Sequence, residues 1–275
     1  MVWLLISEVM PLTRPMIRPL PAWLASLGGA LLAGLIQQTA LAAEPVLTIA
    51  VAANFSEPMQ KLIERYQASA QREVQMSVGA TAQLAAQIRQ GAPFDVLLAA
   101  DAHTPQQLCA EGLADCASIQ TYAIGHLVLW SHNPKLIDAK AKVLQSAFER
   151  LSLADPTLAP YGRAAVETLA SLHLLEQTRA RWVLGENITQ AYQFVLTENA
   201  PLGFVALSQV YANGELTQGS AWLVPDELHQ PIRQDLVILK NAPHAAQARA
   251  WINWLHTSAA RAIIEQYGYS LDVTH

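Results

Sequence analysis

The chain is short of charge and of cysteine. Asp, Glu, Lys and Arg make up 14% of its 275 residues, and Cys109 and Cys116 are its two thiols. A nucleic-acid-binding protein needs a concentrated positive face. Here the formal net charge is −5, and beyond residue 42 there remain 15 basic side chains against 21 acidic ones, so nucleic acid is excluded as a partner. The eight histidines are scattered, and two cysteines with no histidine between them are too few ligands for a zinc site. There is no G-x-S-x-G elbow, no G-x-x-x-x-G-K-[ST] loop, no H-E-x-x-H and no G-x-G-x-x-G after a strand. Their absence removes the commonest hydrolase, nucleotide-binding, metalloprotease and dinucleotide signatures. Beyond residue 42 no apolar run reaches the roughly 20 residues that a membrane-spanning helix needs.

What is present begins with a leader. Arg14 and Arg18 precede the apolar run Leu20 to Ile36, and Ala40, Leu41 and Ala42 supply a small-residue cleavage pattern. Residues 1–42 are therefore expected to be a secretory signal peptide. Pro21, Gly28, Gly29 and Gly34 interrupt the run and argue against an uncleaved anchor. The expected location is outside the cytoplasm, in an oxidising compartment. There Cys109 and Cys116, seven positions apart in "LCAEGLADC", read as a short-loop disulfide, with two buried thiols as the alternative.

From residue 46 short apolar runs alternate with helical periodicity, the pattern of parallel strands joined by crossover helices. Val46 to Ala53 is a strand buried on both faces. Ser56 is placed to cap the next helix, with Met59, Leu62, Ile63 and Tyr66 as its buried stripe. After a strand over 74–78, Thr81 is placed to cap a second helix that ends at Gly91. "PFDVLLAAD" and "AIGHLVLW" read as single strands, "APLGFVALSQ" as another, and residues 160–175, 189–196, 245–255 and 259–266 as helices. With 52% hydrophobic residues the chain can fill two modest cores. The expected fold is α/β with two lobes, each a mostly parallel sheet flanked by helices, and a ligand cleft between them. Lobe 1 is expected to hold residues 43–123 and 229–275, and lobe 2 residues 124–228.

In such sheets the helix starts, with their unpaired N–H groups, converge on one cleft and favour an anion. Asn54, Thr81, Tyr161 and Ile188 all stand at or next to such starts. The stretches "AVAANFSEPM", "SVGATAQLAAQIRQGAPFDVLLAAD", "DPTLAPYGRAAVETL", "NAPLGFVALSQ" and "IIEQYGYSL" carry a resemblance over about Leu47 to Leu271. They resemble the periplasmic molybdate-binding proteins of ABC transporters, class II solute-binding proteins with two hinged lobes.

The resemblance implies a receptor, not an enzyme, that captures molybdate, and tungstate with it, for delivery to an ABC transporter permease. It implies a monomer with no cofactor, the metal entering only as the oxyanion with no protein atom bound to it. Carried over by position, it implies ligand donors at Asn54 (side-chain amide and N–H), Thr81 (hydroxyl and N–H), Tyr161 (N–H, with its hydroxyl open) and Ile188 (N–H). A tyrosine donor that one branch of the family uses after "PLG" is replaced here by Ala206. Asp155 is implied to organise its loop, and Arg163 and Lys61 are read as facing outward. The competing readings are a receptor for another oxyanion, such as sulfate or thiosulfate, and a periplasmic enzyme on an anionic substrate.

Overall fold

A computed structural model describes residues 46–70 and 72–271; the leader expected over residues 1–42 lies outside them. The chain first builds β1 (Leu47–Ala52), α1 (Ser56–Ala70), β2 (Val74–Gly79), α2 (Thr81–Arg89), β3 (Val96–Leu98), α3 (His103–Ala110) and β4 (Gln120–Gly125). It continues through β5 (Leu127–Ser131), β6 (Leu151–Ala154), α4 (Pro160–Ser171), α5 (Leu175–Arg179), β7 (Trp182–Gly185), α6 (Ile188–Leu196) and β8 (Leu202–Ala206). A small hairpin of β9 (Tyr211–Ala212) and β10 (Glu215–Leu216) precedes β11 (Ser220–Leu223). Then come β12 (Ile232–Ile238), α7 (Ala245–Leu255) and α8 (Ser258–Gln266).

Two five-stranded sheets result, ordered β2-β1-β3-β12-β4 and β11-β5-β8-β6-β7. Both are mixed. Parallel pairing joins β2, β1 and β3 in the first and β8, β6 and β7 in the second. The antiparallel pairs lie on the other side of each sheet, where β4 and β12 run side by side in the first and β5 and β11 in the second. These strands carry the chain out to the second sheet and back again, so they must run in opposite directions. A sequence pattern of buried strands marks burial on two faces but not the direction of each neighbour.

The apolar runs become core for the expected reasons. β1 lies between β2 and β3, and five of its six residues are buried. The α1 stripe of Met59, Leu62, Ile63 and Tyr66 packs into one cluster with Trp251, Leu255 and Ile264 of the closing helices α7 and α8. Tyr66 meets Trp254 edge-on, with ring centroids 5.2 Å apart. Under the second sheet, Leu129, Leu151, Leu153 and Phe204 pack against Ala164, Ala165 and Leu169 of α4.

Three local expectations change. "AIGHLVLW" is not one strand: β4 ends at Gly125 in the first sheet and β5 begins at Leu127 in the second. The changeover thus falls at His126, whose Nε2 lies 2.9 Å from Ser270 Oγ. Ser56 does not cap α1. A 3-10 turn over Ala53–Phe55 leads into the helix, and the Ser56 hydroxyl donates back to the Ala53 carbonyl at 2.9 Å. Thr81 does not cap α2 but is its first residue, and Ala80 precedes it.

Cys109 in the last turn of α3 and Cys116 in the following 3-10 turn are joined, with Cα atoms 5.2 Å apart. The closed loop is short, so replacing both by Ser should lower unfolding free energy by about 2–3 kcal/mol through the unfolded chain. Denaturant titration with matched m-values measures it; an unchanged midpoint would show that the link constrains nothing the unfolded chain explores.

Candidate functional site

Four chain corners meet at one place. The first is the 3-10 turn after β1, carrying Asn54; the second is the start of α2 at Thr81. The third is the start of α4, where Pro160 opens the helix and Tyr161 follows. The fourth is the start of α6 at Ile188, whose N-cap Asn187 accepts from the Gln190 N–H at 3.0 Å. The first two belong to the first sheet and the last two to the second.

All four predicted residues, Asn54, Thr81, Tyr161 and Ile188, line a single small cavity of about 10 Å³. Each is only 2–3% exposed. As first-turn positions, their backbone N–H groups have no acceptor within their own helices. Four helix starts aimed at one point also sum their partial positive charge there. Gly162 lets the third corner sit this close, since a Cβ on it would overlap the Ala154 carbonyl at the end of β6.

No Asp, Glu, Lys, Arg or His side chain is among the lining residues. Asp155 serves its own loop, its Oδ1 accepting from the Thr157 N–H at 2.8 Å and the Thr157 hydroxyl at 2.6 Å. Lys61 is exposed and paired with Glu64 at 3.0 Å. Arg163 is less detached than the sequence suggested. It is half-exposed, and its guanidinium reaches across to Asp101, which follows β3, at 2.5 Å. Among the described residues no group of three or more His, Cys, Asp or Glu is placed to hold a metal ion.

The side chains at the corners are not equally free. The Thr81 hydroxyl oxygen accepts from the Ala100 N–H at 3.0 Å, which leaves its own proton to donate. Asn54 differs from expectation. Its Nδ2 donates to Gln234 Oε1 at 2.9 Å and to the Tyr269 hydroxyl at 3.0 Å, so both amide protons are engaged inside the protein. What Asn54 turns to the cavity as a donor is its backbone N–H. Its carbonyl accepts from Ser208 Oγ at 2.9 Å and from the Tyr269 hydroxyl at 2.8 Å. The Tyr161 hydroxyl accepts from Gln234 Nε2 at 3.2 Å.

This buried polar cluster of Gln234, Tyr269, Tyr122 and Ser208 was not singled out by sequence reasoning. The available signal was a glutamine inside the largely buried strand "IRQDLVI". Two further bonds join the halves: Ala82 N–H to the Leu158 carbonyl at 3.2 Å and the Thr189 hydroxyl to the Ala53 carbonyl at 3.3 Å.

Known proteins are similar to this chain along nearly all of its described length. The family model described as bacterial extracellular solute-binding protein matches residues 47–270. The molybdate-binding protein ModA of Azotobacter vinelandii is 48% identical over 243 residues, 88% of this chain and 96% of that protein. The ModA of Rhodobacter capsulatus is 43% identical over 242 residues, 88% of this chain and 95% of that protein. The solved structure of the Azotobacter vinelandii periplasmic molybdate-binding protein superposes with a TM-score of 0.80 at 36% identity, covering 82% of this chain and 99% of that one. With two mixed sheets, four helix starts turned to one cavity and a family match spanning nearly all the described residues, the chain belongs to the bacterial extracellular solute-binding proteins.

Proposed function

We propose that the protein is a periplasmic receptor that captures molybdate, and tungstate with it, and hands it to an ABC transporter permease. The observation that carries this reading is the cavity itself, where two helix starts from each half converge and no charged side chain intrudes. The names of the relatives point to the same ligand. The proposed donors are the N–H groups of Asn54, Thr81, Tyr161 and Ile188 with the hydroxyls of Thr81 and Tyr161. Six hydrogen bonds to charged oxygens at roughly 1.5–3 kcal/mol each exceed in gross terms the 8–12 kcal/mol of submicromolar binding, before ordering and desolvation are subtracted. The anion is the cargo; the protein needs no cofactor, and the molybdenum meets no protein ligand directly. With Asn, Thr, Tyr and aliphatic side chains around the cavity, no carboxylate or imidazole stands ready to move a proton, which favours a receptor over an enzyme.

The same lining explains selectivity. Phosphate near neutral pH retains a proton and needs an acceptor. The carbonyls of the first corner are already occupied: Asn54 O accepts from Ser208 and Tyr269, and Ala53 O from Ser56 and Thr189. A protonated oxygen placed there faces only donors. Sulfate carries no such proton and is excluded by size, its shorter bonds failing to reach donors on both halves at once. The halves expected as 43–123 with 229–275 and as 124–228 act as hinged lobes, the first crossing falling slightly later than expected, at His126, because β4 keeps Ile124 and Gly125 in the first sheet. Ligand shifts the monomer toward the closed form, and that form is what the permease recognises. Export follows from the leader expected over residues 1–42. Among the described residues no helix is long and apolar enough to cross a membrane.

The phenols beside the cavity are neutral donors by construction. Burial raises Tyr122 and Tyr161 well above the ordinary tyrosine value and pushes Tyr269 up to about 12. Tyr269 therefore keeps its proton in the native state while the unfolded chain loses it near pH 10. Its contribution is complete below about pH 10 and is lost as pH rises toward 12. Unfolding midpoints between pH 9 and 11 should fall more steeply in the wild type than in Tyr269→Phe; equal slopes would show that the phenol titrates as if unfolded.

Thr81→Val removes one donor with little change of volume and should weaken molybdate binding by about 1.5–3 kcal/mol in calorimetry. In a thermal-shift series, molybdate and tungstate should raise the melting temperature more than sulfate, thiosulfate or phosphate at equal concentration. Greater stabilisation by sulfate than by molybdate would replace this reading with a sulfate receptor.

A further inference from the structure

Gln234 is a fully buried amide in a strand otherwise made largely of core, with Ile232, Leu236, Val237 and Ile238 buried around it. A buried amide is costly unless its donors and acceptors are met. Gln234 meets them by touching both halves. Its Oε1 accepts from Asn54 Nδ2 and lies at the same 2.9 Å from the Tyr122 hydroxyl, both in the first half. Its Nε2 donates to the Tyr161 hydroxyl of the second half at 3.2 Å.

Two backbone features serve this contact. The register of β12 against β4 slips between Gln234 and Asp235, which makes Tyr122 the extra residue. Such a bulge re-aims side chains, and here it brings the Tyr122 hydroxyl to Gln234. Gly125, the last residue of β4, supplies the room. A Cβ there would overlap the Tyr161 hydroxyl and crowd Gln234 Nε2.

Resting on the oxyanion reading of the cavity, we propose that Gln234 is a positioning residue for binding: by donating to the Tyr161 oxygen, it holds that phenol as a donor toward the anion. With one lone pair engaged by the amide, the Tyr161 proton has two acceptors to choose between. They are the Tyr269 hydroxyl beside it and an anionic oxygen in the cavity that Tyr161 lines. A charged oxygen is the stronger acceptor, so the proton turns to the ligand. Because Gln234 and Tyr161 belong to opposite halves, bringing the halves together is what sets the phenol.

The test is a double-mutant cycle read by calorimetry with sodium molybdate on the purified protein. Gln234→Leu and Tyr161→Phe should each lower affinity about tenfold or more, and the double variant should be within about twofold of Tyr161→Phe alone. Losses that multiply would overturn the proposal. Gly125→Ala disturbs the same hydrogen bond while deleting no polar group, and it carries the test if Gln234→Leu does not fold. It should weaken binding in the wild-type background and have no further effect beside Tyr161→Phe; unchanged affinity overturns the proposal. Thr81→Val separates the two levels. If it loses affinity while Gln234→Leu and Gly125→Ala do not, only the positioning role falls. If none of the variants changes affinity, the oxyanion site falls with it.

Discussion

A helix cannot hydrogen-bond its own first turn, and this molecule directs that constraint four times at one point. The starts of the 3-10 turn at Ala53, of α2, of α4 and of α6 each leave backbone N–H groups without intrahelical acceptors, and the fold turns them inward, where water is scarce. Unmatched donors in a buried place are costly, and a small anion is the partner that satisfies them together. The sheets exist in this arrangement to hold those corners. The parallel halves β2-β1-β3 and β8-β6-β7 put strand ends and helix starts on one edge. The antiparallel strands β4, β12, β5 and β11 bring the two edges face to face.

Around that convergence lies a second layer made of side chains. Asn54 belongs to both layers: its N–H is a corner donor, while its amide and carbonyl are tied to Gln234, Tyr269 and Ser208. The consequence is a fixed backbone at the corner. A main-chain N–H is as well aimed as the residue that carries it, and Asn54 is anchored by strand β12, by the C-terminal segment at Tyr269 and by the second half at Ser208. Polar groups of this kind specify one arrangement only when every member is satisfied.

Much of this was legible in the residues and some was not. The strand-helix alternation marked the elements, and the four corners stood out because Asn54, Thr81, Tyr161 and Ile188 each follow a buried strand or open a helix. Caps were less legible. Ser56 and Thr81 have the right chemistry for capping, but the tertiary structure gives their hydroxyls other partners, the Ala53 carbonyl and the Ala100 N–H. Strand direction could not be read from burial, and a single apolar run, "AIGHLVLW", hid the passage from one sheet to the other at His126. Gln234 was overlooked because its meaning depends on Asn54 and Tyr161, 180 and 73 residues away in sequence. Local pattern has no access to such pairings.

The neutral lining has an electrostatic corollary. A pocket lined with lysine or arginine would pass from net positive to near neutral as a dianion filled it. Backbone dipoles supply no countercharge, so filling this pocket makes a molecule that is already acidic more negative still. Occupancy therefore changes the net charge of the molecule as well as filling its cavity.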